Sequence, residues 1–281
     1  MKSGHDPIDI ALREDIGDGD VTSAFFVPEN AQAVARIIAR EKAIVAGIET
    51  AAAVFQRVDP STQIDIIRPD GSEVGPNESI LELRGLARSI LQAERVALNF
   101  LQHLCGVATL TRQFVDAAAS DQVKILDTRK TTPGLRELEK KAVVAGGGMN
   151  HRFGLDDMVL VKDNHLTCLS SIRFGEAVSR LRSERPELRI EVEADDLRQV
   201  RAILKAAEVD LILLDNMRPA QLREAVALGK GTNVKFEASG GVTLKSVRVI
   251  AATGVDFISI GSLTHSVKAI DLSLEITNVG T

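Results

Sequence analysis

The spacing of apolar positions changes character near residue 122. Before it, helical and alternating patterns are mixed. Residues 6–16 carry the 3.6-residue period of a short amphipathic helix, which runs into the acidic, glycine-broken stretch Glu14-Asp15-Ile16-Gly17-Asp18-Gly19-Asp20. Residues 33–39 read as a strand and 49–58 as a helix. Residues 64–67 and 79–83 read as short strands near the turns Pro69-Asp70-Gly71-Ser72 and Gly75-Pro76-Asn77. A long helical pattern covers 89–119, with Gly106 as a candidate kink, and is expected to bridge two domains.

After residue 122, short continuous apolar runs each end in a polar residue or glycine: 123–127, 158–162, 190–193, 211–215, 234–237 and 257–261. Between several of them lie helical patterns at 171–182, 196–207, 219–228 and 244–252. Strands apolar on both faces, separated by helices, imply a parallel sheet covered on both sides. A barrel, closed or incomplete, fits better than a doubly wound sheet. Polar residues suited to chemistry sit at nearly every strand's C-terminal end, and in α/β barrels those ends share one rim. Residues 271–276 follow the sixth strand and are expected to pack back on the first domain.

Composition narrows the classes. The 281 residues are 44% apolar and 26% charged, as in an ordinary folded chain. A net charge of −5, with no Trp and no Tyr, gives no general drive toward nucleic acid. Cys105 and Cys168 are too few for a disulfide framework. The first residues lack a signal peptide's apolar stretch, and no apolar run is long enough to span a membrane, so a cytoplasmic protein is expected.

The strand ends supply the candidate site. The first offers Asp127, Thr128, Arg129 and Lys130; the second Lys162, Asp163, Asn164 and His165; the third Glu193; the fourth Asp215 and Asn216. The fifth gives Ser239-Gly240-Gly241 and the sixth Ile260-Gly261-Ser262, while His151 and Arg152 follow a triple glycine at 146–148. Taken singly, each has a structural reading: a capped strand, a surface charge pair, a flexible link. Together they put Arg129, Lys130, Arg152 and Lys162 opposite Glu193 and Asp215. Guanidinium groups suit planar carboxylates, and acidic side chains suit ribose hydroxyls or Mg²⁺. The two glycine loops, each expected to lead into a helix N-terminus, suit a phosphate. No histidine spacing suggests zinc. Arg95 lies four after Leu91 and three before Leu98, and is expected on their apolar face. A charge there needs a partner, either an internal salt bridge or a neighbouring subunit's site.

In order along the chain, these blocks resemble those of the quinolinate phosphoribosyltransferase family, the carboxylating nicotinate-nucleotide pyrophosphorylases. The match runs from Glu14-Asp15-Ile16-Gly17-Asp18-Gly19-Asp20-Val21-Thr22 through Ala93-Glu94-Arg95 and Gly106-Val107-Ala108-Thr109 to Asp127-Thr128-Arg129-Lys130-Thr131-Thr132-Pro133-Gly134. It continues with His151-Arg152, Lys162-Asp163-Asn164-His165, Glu193, Leu214-Asp215-Asn216-Met217, Glu237-Ala238-Ser239-Gly240-Gly241 and Thr264-His265-Ser266. Cys105 stands where serine is usual, Lys141 where tyrosine is common, and Ala43 for a frequent glycine.

The resemblance implies an α+β sandwich domain at 1–106, an irregular or incomplete α/β barrel at 107–267, and a tail at 268–281 packing on the former. It implies transfer of phosphoribose from 5-phosphoribosyl-1-pyrophosphate (PRPP) to quinolinate, yielding nicotinate mononucleotide, pyrophosphate and CO₂ with Mg²⁺. It also implies a homodimer with shared sites. The residues implied for quinolinate are Arg95 of the partner, Arg129, Arg152 and Lys162, with His151 nearby. Lys130 falls beside the phosphates of PRPP, Ser239-Gly240-Gly241 and Gly261-Ser262 beneath its 5′-phosphate, and Glu193 and Asp215 at the ribose and Mg²⁺, with Thr128 and Ile260 also among the substrate-binding residues. Catalysis is expected from Lys130, Glu193 and Asp215. A paralogue with another acceptor, a Schiff-base aldolase using Lys162 and a non-catalytic sugar-phosphate sensor are the competing expectations.

Overall fold

A computed structural model describes residues 6–168, 171–206 and 208–280. The chain forms two compact units. One holds the residues up to Arg112, Thr131–Gly147 and the chain from Leu263 on; the other holds Gln113–Lys130 and Gly148–Ser262.

The first unit opens with α1 (Pro7–Ile16), where Asp6 accepts the Ile8 N–H at 3.0 Å and Pro7 occupies the first turn. The acidic stretch then starts a helix that apolar spacing did not reveal, α2 (Val21–Phe26), with Asp20 accepting the Ser23 N–H. There follow β1 (Gln32–Ala39), β2 (Ala43–Ile44), α3 (Ile48–Val58), β3 (Gln63–Ile66), β4 (Glu73–Val74), β5 (Ser79–Leu86) and α4 (Ala87–Ala118). Helix α4 runs unbroken through Gly106. A Cβ there would lie 2.4 Å from the Lys268 carbonyl, so this glycine serves a close approach rather than the expected kink.

The second unit contributes β6 (Lys124–Leu126), β7 (Val159–Val161), β8 (Ile190–Ala194), β9 (Leu211–Asp215), β10 (Lys235–Ser239) and β11 (Phe257–Ser259). The last strand, β12 (Leu272–Gly280), pairs antiparallel with β1 and returns the chain to the first unit. That unit's antiparallel sheet has the order β12-β1-β5-β3. Alternate β1 residues Ala33, Ala35, Ile37 and Ala39 are buried, in one core with Val54 and Phe55 of α3 and Ile90, Ala97 and Leu101 of α4. This is the expected sheet-and-helix sandwich.

All six strands of the second unit are parallel, in the order β6-β11-β10-β9-β8-β7. First and last strands pair, as in a barrel, while consecutive β6 and β7 stand at opposite edges. The barrel is therefore interrupted between its first two strands. The helix in the β6–β7 connection, Arg136–Ala145, packs in the first unit. In place of a full strand there, Met149 makes a single parallel bridge to Leu126. Helices Ser171–Glu184, Leu197–Ala206 and Pro219–Leu228 separate later strands and bury Phe174 and Val178, Val200 and Ile203, and Leu222 and Ala225. Two-residue alternation sends Val192, Ala194, Ile212 and Leu214 into the surrounding core and turns Glu191, Glu193, Leu213, Asp215, Glu237 and Ser239 to the opposite face.

Candidate active site

A cleft of about 210 Å³ opens at the C-terminal ends of the second unit's strands. It gathers nine expected residues: Thr128, Arg129, Lys130, His151, Arg152, Lys162, Glu193, Asp215 and Ser239. Leu160, Leu213, Glu237 and Ser259 complete the lining.

Local bonds fix the cationic side. Backbone exchange between residues 125–127 and Met149 lays the chain beside β6 (Met149 N–H to Ile125 O, 2.8 Å; Asp127 N–H to Met149 O, 3.2 Å). Buried Asp127 then accepts the His151 N–H at 2.8 Å. The His151 ring has both nitrogens engaged: Nδ1 accepts the Arg152 N–H at 2.7 Å, and Nε2 meets Glu191 Oε2 at 2.9 Å. Arg152, only 9% exposed, donates to the Met158 carbonyl at 3.3 Å. Burial lowers the Arg152 pKa, and repulsion from Arg129 adds to this, with Glu191 and Asp157 opposing. Two guanidinium groups are thus held close in a partly dry site, an arrangement that favours an anionic ligand.

On the acidic side, Lys162 Nζ lies 3.4 Å from Glu193 Oε2, where β7 and β8 run in register. His165 Nδ1 accepts the Lys162 N–H at 2.9 Å and closes the turn that presents it. Burial raises the Glu193 pKa; Lys162 opposes this and Asp215 reinforces it. Donor atoms of Glu193, Asp195 and Asp215 all lie within 4.8 Å of one another. Asn216, at φ 53°, donates from its amide to Asp215 Oδ2 at 2.7 Å, and its backbone N–H reaches the Ser239 carbonyl at 2.9 Å. A Cβ on Gly240 (φ 95°) would fall 2.2 Å from Asn216 Oδ1, so only glycine lets these two strand ends meet. Gly241 also has positive φ, and among the described residues neither glycine N–H finds a protein acceptor. Successive free N–H groups in such a turn make an anion-binding concavity.

Other expectations are corrected. The glycine loops do not lead into substantial helices: Val247–Ala251 begins six residues past Gly241, and Ser262–His265 has four residues. The expected helix-dipole contribution to phosphate binding therefore falls away, leaving the backbone turn. Ile260 donates its N–H to the Leu126 carbonyl and buries its side chain, so it offers no donor to a ligand. Gly240, Gly241, Gly261 and Ser262 lie beside the cleft lining rather than in it. Arg95 belongs to the first unit and is exposed, while Ala93, Val96 and Ala97 form the buried face of α4. It is therefore not on an apolar face, and it makes no internal salt bridge among the described residues. Lys162 is half exposed and ion-paired, unlike the desolvated amine that Schiff-base chemistry requires.

The departures from the resemblance leave the site intact. Cys105, a buried free thiol, contacts the Ala46 N–H at 3.4 Å and carbonyl at 3.6 Å, much as a hydroxyl would. Lys141 is exposed and pairs with Glu137 one helical turn away.

Reading only strand ends missed a buried cluster beneath the rim. Glu191 and Glu237 are fully buried, with His151 Nε2 at 2.9 and 3.4 Å from their carboxylates. Burial favours a neutral imidazole, but the two carboxylates outweigh it and push the His151 pKa up to about 9. A second proton would have to enter at Nδ1, where it competes with the Arg152 N–H. Burial, then repulsion from Glu237, pushes Glu191 up to about 7. The signal was present in the sequence: each glutamate precedes a rim residue, Glu193 or Ser239, by two positions and so shares its face.

The family model described as the quinolinate phosphoribosyl transferase C-terminal domain matches residues 107–275, and its N-terminal counterpart matches 20–105. A Bacillus subtilis protein named probable nicotinate-nucleotide pyrophosphorylase (carboxylating) is 44% identical, over 94% of this chain and 90% of its own. A rice protein named as the chloroplastic form of that enzyme is also 44% identical, over 96% and 76%. The solved nicotinate-nucleotide pyrophosphorylase of Francisella tularensis superposes with TM-score 0.89 at 39% identity, covering 96% and 95%.

Proposed function

The chain belongs to the quinolinate phosphoribosyltransferase family, and on that premise we propose that it transfers phosphoribose from PRPP to quinolinate, releasing pyrophosphate and CO₂ and forming nicotinate mononucleotide for NAD biosynthesis. The observation that carries this reading is a single cleft in which Arg129, Lys130, Arg152 and Lys162 face Glu193 and Asp215. A two-acid ring and a phosphorylated sugar need those opposite sets.

In this assignment Arg129, Arg152 and Lys162 take the ring carboxylates, and Lys130 takes phosphate oxygens of PRPP. The Gly240-Gly241 turn supports the 5′-phosphate. Glu193 and Asp215 receive the ribose hydroxyls. Their clustered oxygen donors, with Asp195, also fit Mg²⁺, a hard cation whose chemistry here is charge neutralisation of pyrophosphate. As the C1–O bond to pyrophosphate breaks, the carboxylates stabilise positive charge developing on the sugar, and the cations hold the ring nitrogen on line with C1. A C1–N bond forms. The 2-carboxylate then leaves as CO₂, its bonding electrons stay on C2 as a carbanion stabilised by the adjacent positive ring nitrogen, and C2 takes a proton from water.

Arg95 is assigned to a partner subunit's site. Its exposure supports this, as does the apolar surface of α2, where Val21, Phe25 and Phe26 are exposed in the single chain. We place the protein in a reducing compartment, the cytoplasm, on the ground of its two free cysteines, Cys105 and Cys168; among the described residues no helix is long and apolar enough to cross a membrane. The test is product formation from quinolinate, PRPP and Mg²⁺, with each omitted in turn. Equal nicotinate mononucleotide and pyrophosphate support the reading; turnover without PRPP refutes it.

A further inference from the structure

The carboxylates beneath the rim have no place in the chemistry above. Glu191 is wholly buried in β8, one residue after its start, and burying a carboxylate is costly unless it is paired and hydrogen-bonded. Its carboxylate meets His151 Nε2 at 2.9 Å, and the Glu237 carboxylate lies close enough to repel it. The other ring nitrogen receives the Arg152 N–H, and the peptide before the ring is tied to Asp127. The ring is thus a strut with one end on β8 and the other on the backbone of the guanidinium-bearing residue.

We infer that Glu191 is a positioning residue, which acts through the His151 ring to fix Arg152 for the acceptor's carboxylate. Glu237 backs the same ring from β10, its carboxylate 3.4 Å from Nε2. His151 therefore serves the site by its hold on Arg152 rather than by donating to the acceptor, since neither ring nitrogen is free to do so. The inference rests on the quinolinate reading, but predicts something that reading does not: a buried strand residue should govern affinity for one substrate only.

The experiment compares Glu191→Leu, Glu191→Gln, Arg152→Ala and the double variant Glu191→Leu/Arg152→Ala, with KM measured for quinolinate and PRPP separately. Wild-type turnover in the same assay tests the parent reading on its own. Losing the strut should raise the quinolinate KM about tenfold, as expected for removal of one charge-assisted hydrogen bond, and leave the PRPP KM within about twofold. The glutamine carbonyl can still accept from Nε2–H, so Glu191→Gln should keep the quinolinate KM within about threefold of wild type. On the Arg152→Ala background, Glu191→Leu should add less than about twofold, because coupled residues are not additive. Equal shifts in both KM values, an unchanged quinolinate KM in Glu191→Leu, or a full tenfold effect without Arg152 would overturn the inference. If Glu191→Leu does not fold, Glu191→Gln decides alone: a tenfold loss of quinolinate affinity in that folded variant contradicts it.

Discussion

Arg152→Ala separates what the cleft does for catalysis from what it does for stability. Arg152 is 9% exposed, donates to the Met158 carbonyl at 3.3 Å, and is held charged against burial and the repulsion of Arg129. Truncating one member of a buried, hydrogen-bonded charge pair costs about 2–5 kcal/mol, so kcat/KM for quinolinate should fall by about 30-fold to several thousand-fold. The folded chain alone loses little. The bond to Met158 is long and worth at most about 1 kcal/mol, and its loss is offset by relief of desolvation and repulsion. Stability should change by no more than about 1 kcal/mol, a Tm shift of about 2–4 °C for a chain of this size. The assay pairs steady-state kinetics, quinolinate varied at saturating PRPP, with thermal unfolding of the same preparation. Unchanged kcat/KM would remove Arg152 from the acceptor site. A Tm loss of 10 °C or more would mean that its role is structural.

Further outcomes follow from the other walls of the cleft. Asp215→Asn and chelation of divalent cations should each abolish most turnover while quinolinate binding, followed by calorimetry, persists; full activity in excess chelator would contradict the Mg²⁺ assignment. Gly240→Ala forces a side chain onto a backbone at φ 95° and against Asn216, and should weaken PRPP binding more than quinolinate binding, read as separate KM values. Mixing Arg95→Ala with Lys130→Ala protein should restore about a quarter of wild-type activity if sites are shared across a twofold dimer, because half the dimers are hybrids with one intact site each. No recovery after confirmed subunit exchange would return Arg95 to its own chain.

The sequence made the second unit legible because its strands are buried on both faces, so each appears as a short apolar run ended by chemistry. All six strands lie within two residues of where apolar spacing puts them. The same rule conceals Glu191, which lies inside the run 190–193, while Glu237 ends the run 234–237 but is passed over for the Ser239-Gly240-Gly241 turn that follows. Arg95 was misjudged from two leucines, when the buried stripe of α4 is set by Ala93, Val96, Ala97 and Leu101. Helix α2 escaped notice because six residues give too few turns for a period, and its signal is the Asp20 cap. That Thr131–Gly147 joins the first unit depends on tertiary packing, such as Gly146 against the Ala108 carbonyl, which no local pattern encodes.

The most direct trial of this account is acceptor choice. Quinolinate and nicotinate, which differ by one ring carboxylate, should be offered separately with PRPP and Mg²⁺ while CO₂ and pyrophosphate are counted. The paired guanidinium groups predict turnover of quinolinate with one CO₂ per pyrophosphate, and kcat/KM for nicotinate lower by at least about a hundredfold, the cost of leaving a buried cation unmatched. Comparable use of nicotinate, or pyrophosphate release from quinolinate without CO₂, would contradict it.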